Sequence, residues 1–125
     1  MTENELSNIV IREAIKVHQN LGPGLLESVY ETCLLHHLLN VGLELENQKP
    51  IPLIYDEIKL DCGFRCDLII GKKLIVEIKA VEQLNDVHLA QVLTYLRLTD
   101  IRLGLLMNFN VLRLKDGIKR VVNNL

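Results

Sequence analysis

The sequence predicts an α/β fold, a mixed sheet of about four strands flanked by helices, in the order α, α, β, β, β, α, β. Three observations carry this expectation. Two stretches of three- and four-residue apolar periodicity open the chain. Alternating and continuous apolar runs, bounded by Gly and Pro, fill the middle. A third helical stretch then separates the strand at 74–80 from one at 102–107, as a crossover beside an antiparallel hairpin would.

The elements follow in order. Leu6, Val10, Ala14, Val17 and Leu21 recur on one helical face, so Glu3 to Leu21 reads as a helix that Gly22-Pro23-Gly24 breaks. A second helix carries Leu26, Val29, Tyr30, Cys33, Leu34, His37 and Leu38, with Gly42 in the left-handed position that ends it. Residues 43–60, holding Pro50 and Pro52, predict one or two strands, at least one near a sheet edge because proline cannot donate to a ladder. Residues 64–70 and 74–80 are strands around a Gly71-Lys72-Lys73 loop. Asn85-Asp86 caps a third helix running to Thr99. Residues 102–107 form another strand, and Val111 to Lys115 one more before a turn at Asp116-Gly117.

At 125 residues, 49% of them hydrophobic, the whole chain, 1–125, suits one domain with a real core. No apolar run approaches the ~20 residues of a membrane span, and Glu3 and Glu5 stand where a basic signal segment would begin. The expectation is a cytoplasmic protein with no membrane partner. Cys33, Cys62 and Cys66 are odd in number, against a secreted disulfide framework. The net charge of −2 provides no global pull on nucleic acid, but residues 102–125 alone sum to +4. That basic end is a solvated surface or a phosphate-facing edge.

The hairpin carries the chemistry. A three-residue loop at 71–73 sets Asp67 directly opposite Glu77, with Cβ atoms about 4.5–5.5 Å apart. Lys79 shares their face, with Arg65, Ile69 and Ile75. The other face reads Phe64, Cys66, Leu68, Ile70, Leu74, Val76, Ile78 and Ala80, and is core. Opposed carboxylates repel unless something compensates. A divalent cation does so, taking one or two carboxylates and filling its shell with water and phosphate oxygens. A lysine alongside stabilises developing negative charge. The other reading is a solvent face with diagonal ion pairs Arg65–Glu77 and Asp67–Lys79. Glu-Ile-Lys itself is weak: it occurs at 57–59 and at 77–79, and only the second has an aspartate across a hairpin. On the third helix Gln91 and Tyr95 share a face with His88, and on the second Glu27 and Tyr30 lie three apart.

Taken together, Asp67 on a strand, Glu77-Ile78-Lys79 on the next, and Gln91-Val92-Leu93-Thr94-Tyr95 on a helix resemble the PD-(D/E)XK nuclease superfamily in its RecB-like form. Gly24-Leu25-Leu26-Glu27-Ser28-Val29-Tyr30 resembles the signature of its GxxExxY branch. The likeness extends to Val17-His18, to Leu21-Gly22-Pro23, to Gly104–Phe109 and to Gly117–Arg120, nearly the whole chain. The resemblance implies a restriction-endonuclease-like core and hydrolysis of phosphodiester bonds in DNA or RNA. It implies Mg²⁺ or Mn²⁺ held by Asp67, Glu77 and the Ile78 carbonyl, a water oriented by Lys79, and Glu27 as a further carboxylate of the site. Gln91, Tyr95, Tyr30 and His88 would support the site or touch the nucleic acid, with His18 and His88 more structural than chemical. Dimerisation, which many nucleases of this fold use, would enlarge a small binding surface.

Two other classes stand beside it. One is a nuclease-like fold that binds nucleic acid or a protein without cutting, against which the intact Asp67, Glu77 and Lys79 count. The other is a zinc site from Cys62 and Cys66 with His36, His37 or His88, for which a second cysteine pair is lacking. No thiol is marked as activated, and no Gly-rich loop follows a strand to cradle a nucleotide.

Overall fold

Thr2 begins the first helix, α1 (Glu3–Leu21), by accepting the Glu5 N–H at 3.1 Å, and Gly22, at φ +69°, stops it. These details come from a computed structural model that describes residues 1–61 and 63–125. The second helix, α2 (Glu27–Asn40), starts without a side-chain cap and ends before Gly42, which takes the left-handed conformation expected of it. Two helices therefore precede any strand, as the periodicity requires.

The main sheet has five strands in the order β1 (Leu45–Pro50), β4 (Arg65–Ile70), β5 (Leu74–Lys79), β6 (Leu103–Asn108) and β7 (Ile118–Val122). Only β5 and β6 are parallel, joined across α3 (Asp86–Thr99); the sheet is mixed, with helices on both faces. Pro50 ends the edge strand β1, consistent with its missing donor. Asn85 caps α3 reciprocally with His88: the His88 N–H donates to Asn85 Oδ1 and the Asn85 N–H to His88 Nδ1.

The sheet differs from the expected four strands at both ends. Residues 43–60 give β1 and then a separate two-stranded ribbon, β2 (Leu53–Tyr55) with β3 (Ile58–Leu60). Val111 to Lys115 is not a strand. Leu112 faces solvent, Leu114 is buried, and a 3₁₀ turn (Leu114–Gly117) returns the chain into β7. Gly117 is tight there: a Cβ would collide with the Asn108 carbonyl. Alternating Val111 and Arg113 with leucines imitates a strand, but the return to pair with β6 has to be made first.

Two cores result. Leu6, Val10 and Val17 of α1 and Tyr30, Leu34 and Leu38 of α2 pack on Leu68, Ile70, Val76 and Leu105. Val92, Tyr95 and Leu96 of α3 cover Ile69, Ile75 and Leu106 on the opposite face. Burial of each such side chain is worth about 1.5–3 kcal/mol. The approach of α3 depends on Gly104, whose Cβ would lie 2.7 Å from Val92 Cγ1. The face bearing Glu77 is thus covered by a helix rather than open to water. Phe64 and Cys66 also pack on this α3 side, contrary to the alternation that groups them with Leu68. The reason is local: the paired ladders on either side of Asp67 skip that residue, and the strand turns over there. Among the described residues no helix is long and apolar enough to cross a membrane.

Candidate active site

The site forms where a hairpin parts. Gly71 and Lys72 take left-handed conformations in the loop, and Ile70↔Leu74, Ile69↔Ile75 and Leu68↔Val76 pair in the expected register. The next step would pair Asp67 with Glu77, and there the ladder ends. The carboxylates carry the contact on. Glu77 Oε1 accepts the Asp67 N–H at 3.1 Å, and Asp67 Oδ2 accepts the Ile78 N–H at 2.8 Å. A strand residue's N–H and C=O point to the same side, so the Ile78 carbonyl also faces the gap that β4 leaves. Its neighbour's carbonyl, on Lys79, points the other way and accepts the Phe109 N–H at 2.9 Å.

Two further carboxylates, from α2, stand near Asp67 at the open side of this gap. Glu27, the first residue of α2, accepts the Ala80 N–H at 3.2 Å. Glu31, one turn on, accepts from Gln48 Nε2 at 2.9 Å and Asn47 Nδ2 at 3.0 Å. Gln48 also donates to Asp67 Oδ1 at 3.1 Å and sits at φ +53°, a left-handed kink in β1 facing the break in β4. Glu27, Ser28, Glu31, Gln48, Asp67 and Ala80 line an open groove of about 590 Å³.

Glu77 is only 4% exposed. Burial pushes its carboxyl up to about 8, and the charge of Asp67 adds to this against the pull of Lys79. Asp67 is also raised, by burial first and by the charge of Glu31, against the bond from the Ile78 N–H. Neither forms an ion pair among the described residues, so the diagonal pairs with Arg65 and Lys79 are not made. The alternative of an ordinary solvent face fails on burial and on pairing alike. The Lys79 ammonium has no hydrogen-bond or ion-pair partner among the described residues. Burial, then Glu77 and Asp67, push the Cys66 thiol up to about 12, which leaves it an inert core group.

Among the described residues no three His, Cys, Asp or Glu side chains converge into a ready-made cation cage. A magnesium-type site asks for less: one or two carboxylates, with water and phosphate completing the shell. Among the described residues no N–H donates to Glu77 Oε2, and Asp67 Oδ1 accepts only from Gln48, so each carboxylate has an oxygen that a cation could take. These donors fit such an ion. A family model of the PD-(D/E)XK nuclease superfamily matches residues 4–121, a span that includes the whole of this arrangement.

The chain belongs to the PD-(D/E)XK nuclease superfamily.

Nucleases of this superfamily generally use divalent metal ions and act on nucleic acids. No curated protein and no solved structure matches the chain significantly. Of the remaining residues expected at a PD-(D/E)XK site, Tyr95 is buried on α3 with its ring edge-on to Phe64 at 6.2 Å. Its phenol is pushed up to about 12 by burial and then by Glu77, so it stays protonated. Gln91 is exposed on α3 and makes no bond to the carboxylates. His88 spends Nδ1 on the helix cap. Tyr30 is fully buried, stacked on Phe109 at 4.6 Å; its hydroxyl donates to the Gly22 carbonyl at 2.6 Å and accepts the Leu25 N–H at 3.1 Å. His18 is buried, with Nε2 2.8 Å from the Val111 carbonyl oxygen. His37 meets Glu13 at 3.3 Å and His36 meets Asn40 at 3.2 Å. Cys62, invoked for a zinc site, lies outside the described residues.

Three site residues were missed by sequence reasoning. Glu31 had a signal, being one helical turn after Glu27. Gln48 had none, because its part depends on a kink in the edge strand. Asn108 is 2% exposed at the end of β6; its Oδ1 accepts the Val81 N–H at 3.1 Å and its Nδ2 donates to the Val81 carbonyl at 2.9 Å, holding the chain just beyond Lys79.

Proposed function

We propose that the protein is a Mg²⁺- or Mn²⁺-dependent nuclease that hydrolyses phosphodiester bonds of DNA or RNA, and that it falls in the GxxExxY branch of the superfamily. One observation carries the reading: Asp67 and Glu77 are turned toward each other where their strands part, and among the described residues no cation neutralises them by an ion pair. A carboxylate buried unpaired, as that of Glu77 is, weakens a fold, which supports a chemical reason for its presence. The branch assignment rests on the work each signature residue does. Gly24 takes φ +96° in the turn, Glu27 opens α2 toward the groove, and the Tyr30 hydroxyl ties Gly22 to Leu25 and fixes that turn.

In this reading Asp67, Glu77 and the Ile78 carbonyl hold the ion. A divalent cation bound there would neutralise phosphate charge and lower the pKa of a coordinated water. Lys79 orients the attacking water, and its ammonium stabilises the negative charge that builds on the phosphate. Glu27 keeps one oxygen on the Ala80 N–H, and its other oxygen would serve the water or ion in the groove it lines. Tyr95 shields Glu77 from bulk solvent, and Gln91 steadies the nucleic acid at the open side.

Cleavage of single- and double-stranded DNA and RNA, with Mn²⁺ or Mg²⁺ against EDTA, tests this beside Asp67→Ala and Lys79→Ala. Metal-dependent cutting by the parent, lost in both variants, is the expected result. Cutting that survives both variants would falsify the assignment. Folded protein that binds Mn²⁺ and nucleic acid yet never cuts would favour a binding module on the same fold.

A further inference from the structure

We propose that the recess beside the Gly22–Leu26 turn holds the phosphodiester backbone of the nucleic-acid substrate next to the catalytic groove, through Arg113 and Lys115. This rests on the nuclease reading of that groove and adds where its substrate is held.

The recess has a volume of about 400 Å³ and is lined by Ile15, His18, Gln19, Gly22, Arg113 and Lys115 among others. It adjoins the catalytic groove through one side chain. The Tyr30 hydroxyl bonds both Gly22, on the recess, and Leu25, on the groove. On the sheet side the link is equally short: the Phe109 N–H donates to the Lys79 carbonyl, and the chain runs from Phe109 into the recess wall at Leu112–Lys115. A strand leaving the carboxylates along this end of the molecule meets the recess next.

Charge singles the recess out. The walls of the catalytic groove carry Glu27, Glu31 and Asp67 and, among the described residues, no cation to set beside Lys79 of the reacting centre. A third depression, on the β1 side, mixes Glu44 and Glu46 with Lys49 and Lys72, and Lys49 is spent on Glu46 at 2.8 Å. Of these three depressions, as lined by the described residues, the recess is the one with two cations and no carboxylate. Neither Arg113 nor Lys115 forms an ion pair or side-chain hydrogen bond among the described residues, and both are exposed. A polyanion drawn to an acidic groove needs cations for the phosphates beyond the reacting one, and Arg113 and Lys115 supply a pair on the adjoining recess.

The platform is fixed in advance. His18 holds the Val111 carbonyl at 2.8 Å, Leu114 is buried at 3% exposure, and Gly117 fits against the Asn108 carbonyl. His18 is thereby a positioning residue for the two cations. Leu112, 89% exposed on the recess, and Leu26, 73% exposed on the groove, offer apolar surface to sugars and bases.

The test is binding of fluorescently labelled single- and double-stranded DNA and RNA oligonucleotides, followed by anisotropy across a sodium chloride series in EDTA. Without a divalent ion it reads binding apart from cleavage. Arg113→Ala with Lys115→Ala should weaken binding roughly tenfold or more at ~50 mM salt and flatten the slope of log affinity against log salt by about 1.4–1.8, two phosphate contacts' worth. The control is Lys72→Ala with Arg97→Ala, an equal loss of charge at the opposite end of the sheet, which should leave the slope unchanged. Circular dichroism melts establish that both double variants are folded, and the charge reversals Arg113→Glu with Lys115→Glu should deepen the loss. An unchanged slope in the recess variant, an equal loss in the control, or no salt-dependent binding by the parent overturns the proposal. A protein that binds through the recess but never cuts removes the nuclease reading alone; one that cuts with an unchanged slope removes only this inference.

Discussion

Glu-Ile-Lys appears twice in this chain, and the two copies have opposite fates. In the first, Glu57 sits at φ +65° in the turn of the β2–β3 ribbon, Ile58 is 60% exposed, and Lys59 pairs with Ile54 across the ribbon. In the second, Glu77 is buried on a central strand, Ile78 enters the core, and the strand opposite presents Asp67. The residues are identical; what differs is the neighbour across the hairpin and the helix laid over the face. A short motif acquires its chemistry from the strand it faces and from the water it loses, and neither is written in the triplet.

The largest effect that would sharpen this contrast is on cleavage. Lys79→Ala should lower the metal-dependent rate by about a hundred- to a thousandfold, the usual cost of removing one donor to developing negative charge. Lys59→Ala should leave it within about twofold. Equal losses in single-turnover assays would mean that the triplet, not its setting, is what matters.

Stability gives the next largest effect. A native pKa of about 8 for Glu77, above its ordinary 4.5, means that the folded state binds the proton more tightly than the unfolded one. Stability is therefore present at low pH and is lost as pH rises across that interval, by roughly 3–5 kcal/mol at most. In metal-free protein, melting temperature should fall from pH 5 to pH 8, and Glu77→Gln should remove most of the fall. Glu57→Gln, at an exposed turn, should not change it. Added Mn²⁺ should raise the parent's melting temperature more at pH 8 than at pH 6, because it favours the ionised pair. A parent profile parallel to that of Glu77→Gln would remove the electrostatic account of the site.

The smallest effect concerns His88, another residue whose type alone suggests chemistry. Loss of the bond that its Nδ1 accepts from the Asn85 N–H in His88→Ala should cost about 0.5–1.5 kcal/mol in chemical denaturation, with the cleavage rate per folded molecule unchanged. A rate loss exceeding the stability loss would return His88 to the catalytic groove.

Much of the fold is legible in the sequence because it rests on period and punctuation. Both opening helices, the hairpin register through Gly71-Lys72-Lys73 and the capped third helix all follow from local rules. The misreadings fall where a distant contact decides. The return through Gly117 is set by the Asn108 carbonyl, and the packing of Cys66 and Phe64 under α3 is set by a break in two ladders at once. The site divides the same way. Asp67, Glu77 and Lys79 are readable from a hairpin and Glu27 from a signature, whereas Gln48 depends on a backbone kink and Asn108 on a loop it closes against.

The amide of Asn108 imitates one more peptide of a ladder, with a donor and an acceptor both spent on Val81. Val81 lies outside every strand, yet its N–H should exchange with deuterium as slowly as those of β6. The Asp67 N–H, held only by a side chain, should exchange far sooner. Local opening that frees Asp67 then leaves Glu77 and Lys79 standing on β5, so one carboxylate of the site parts from its neighbours on a clock of its own.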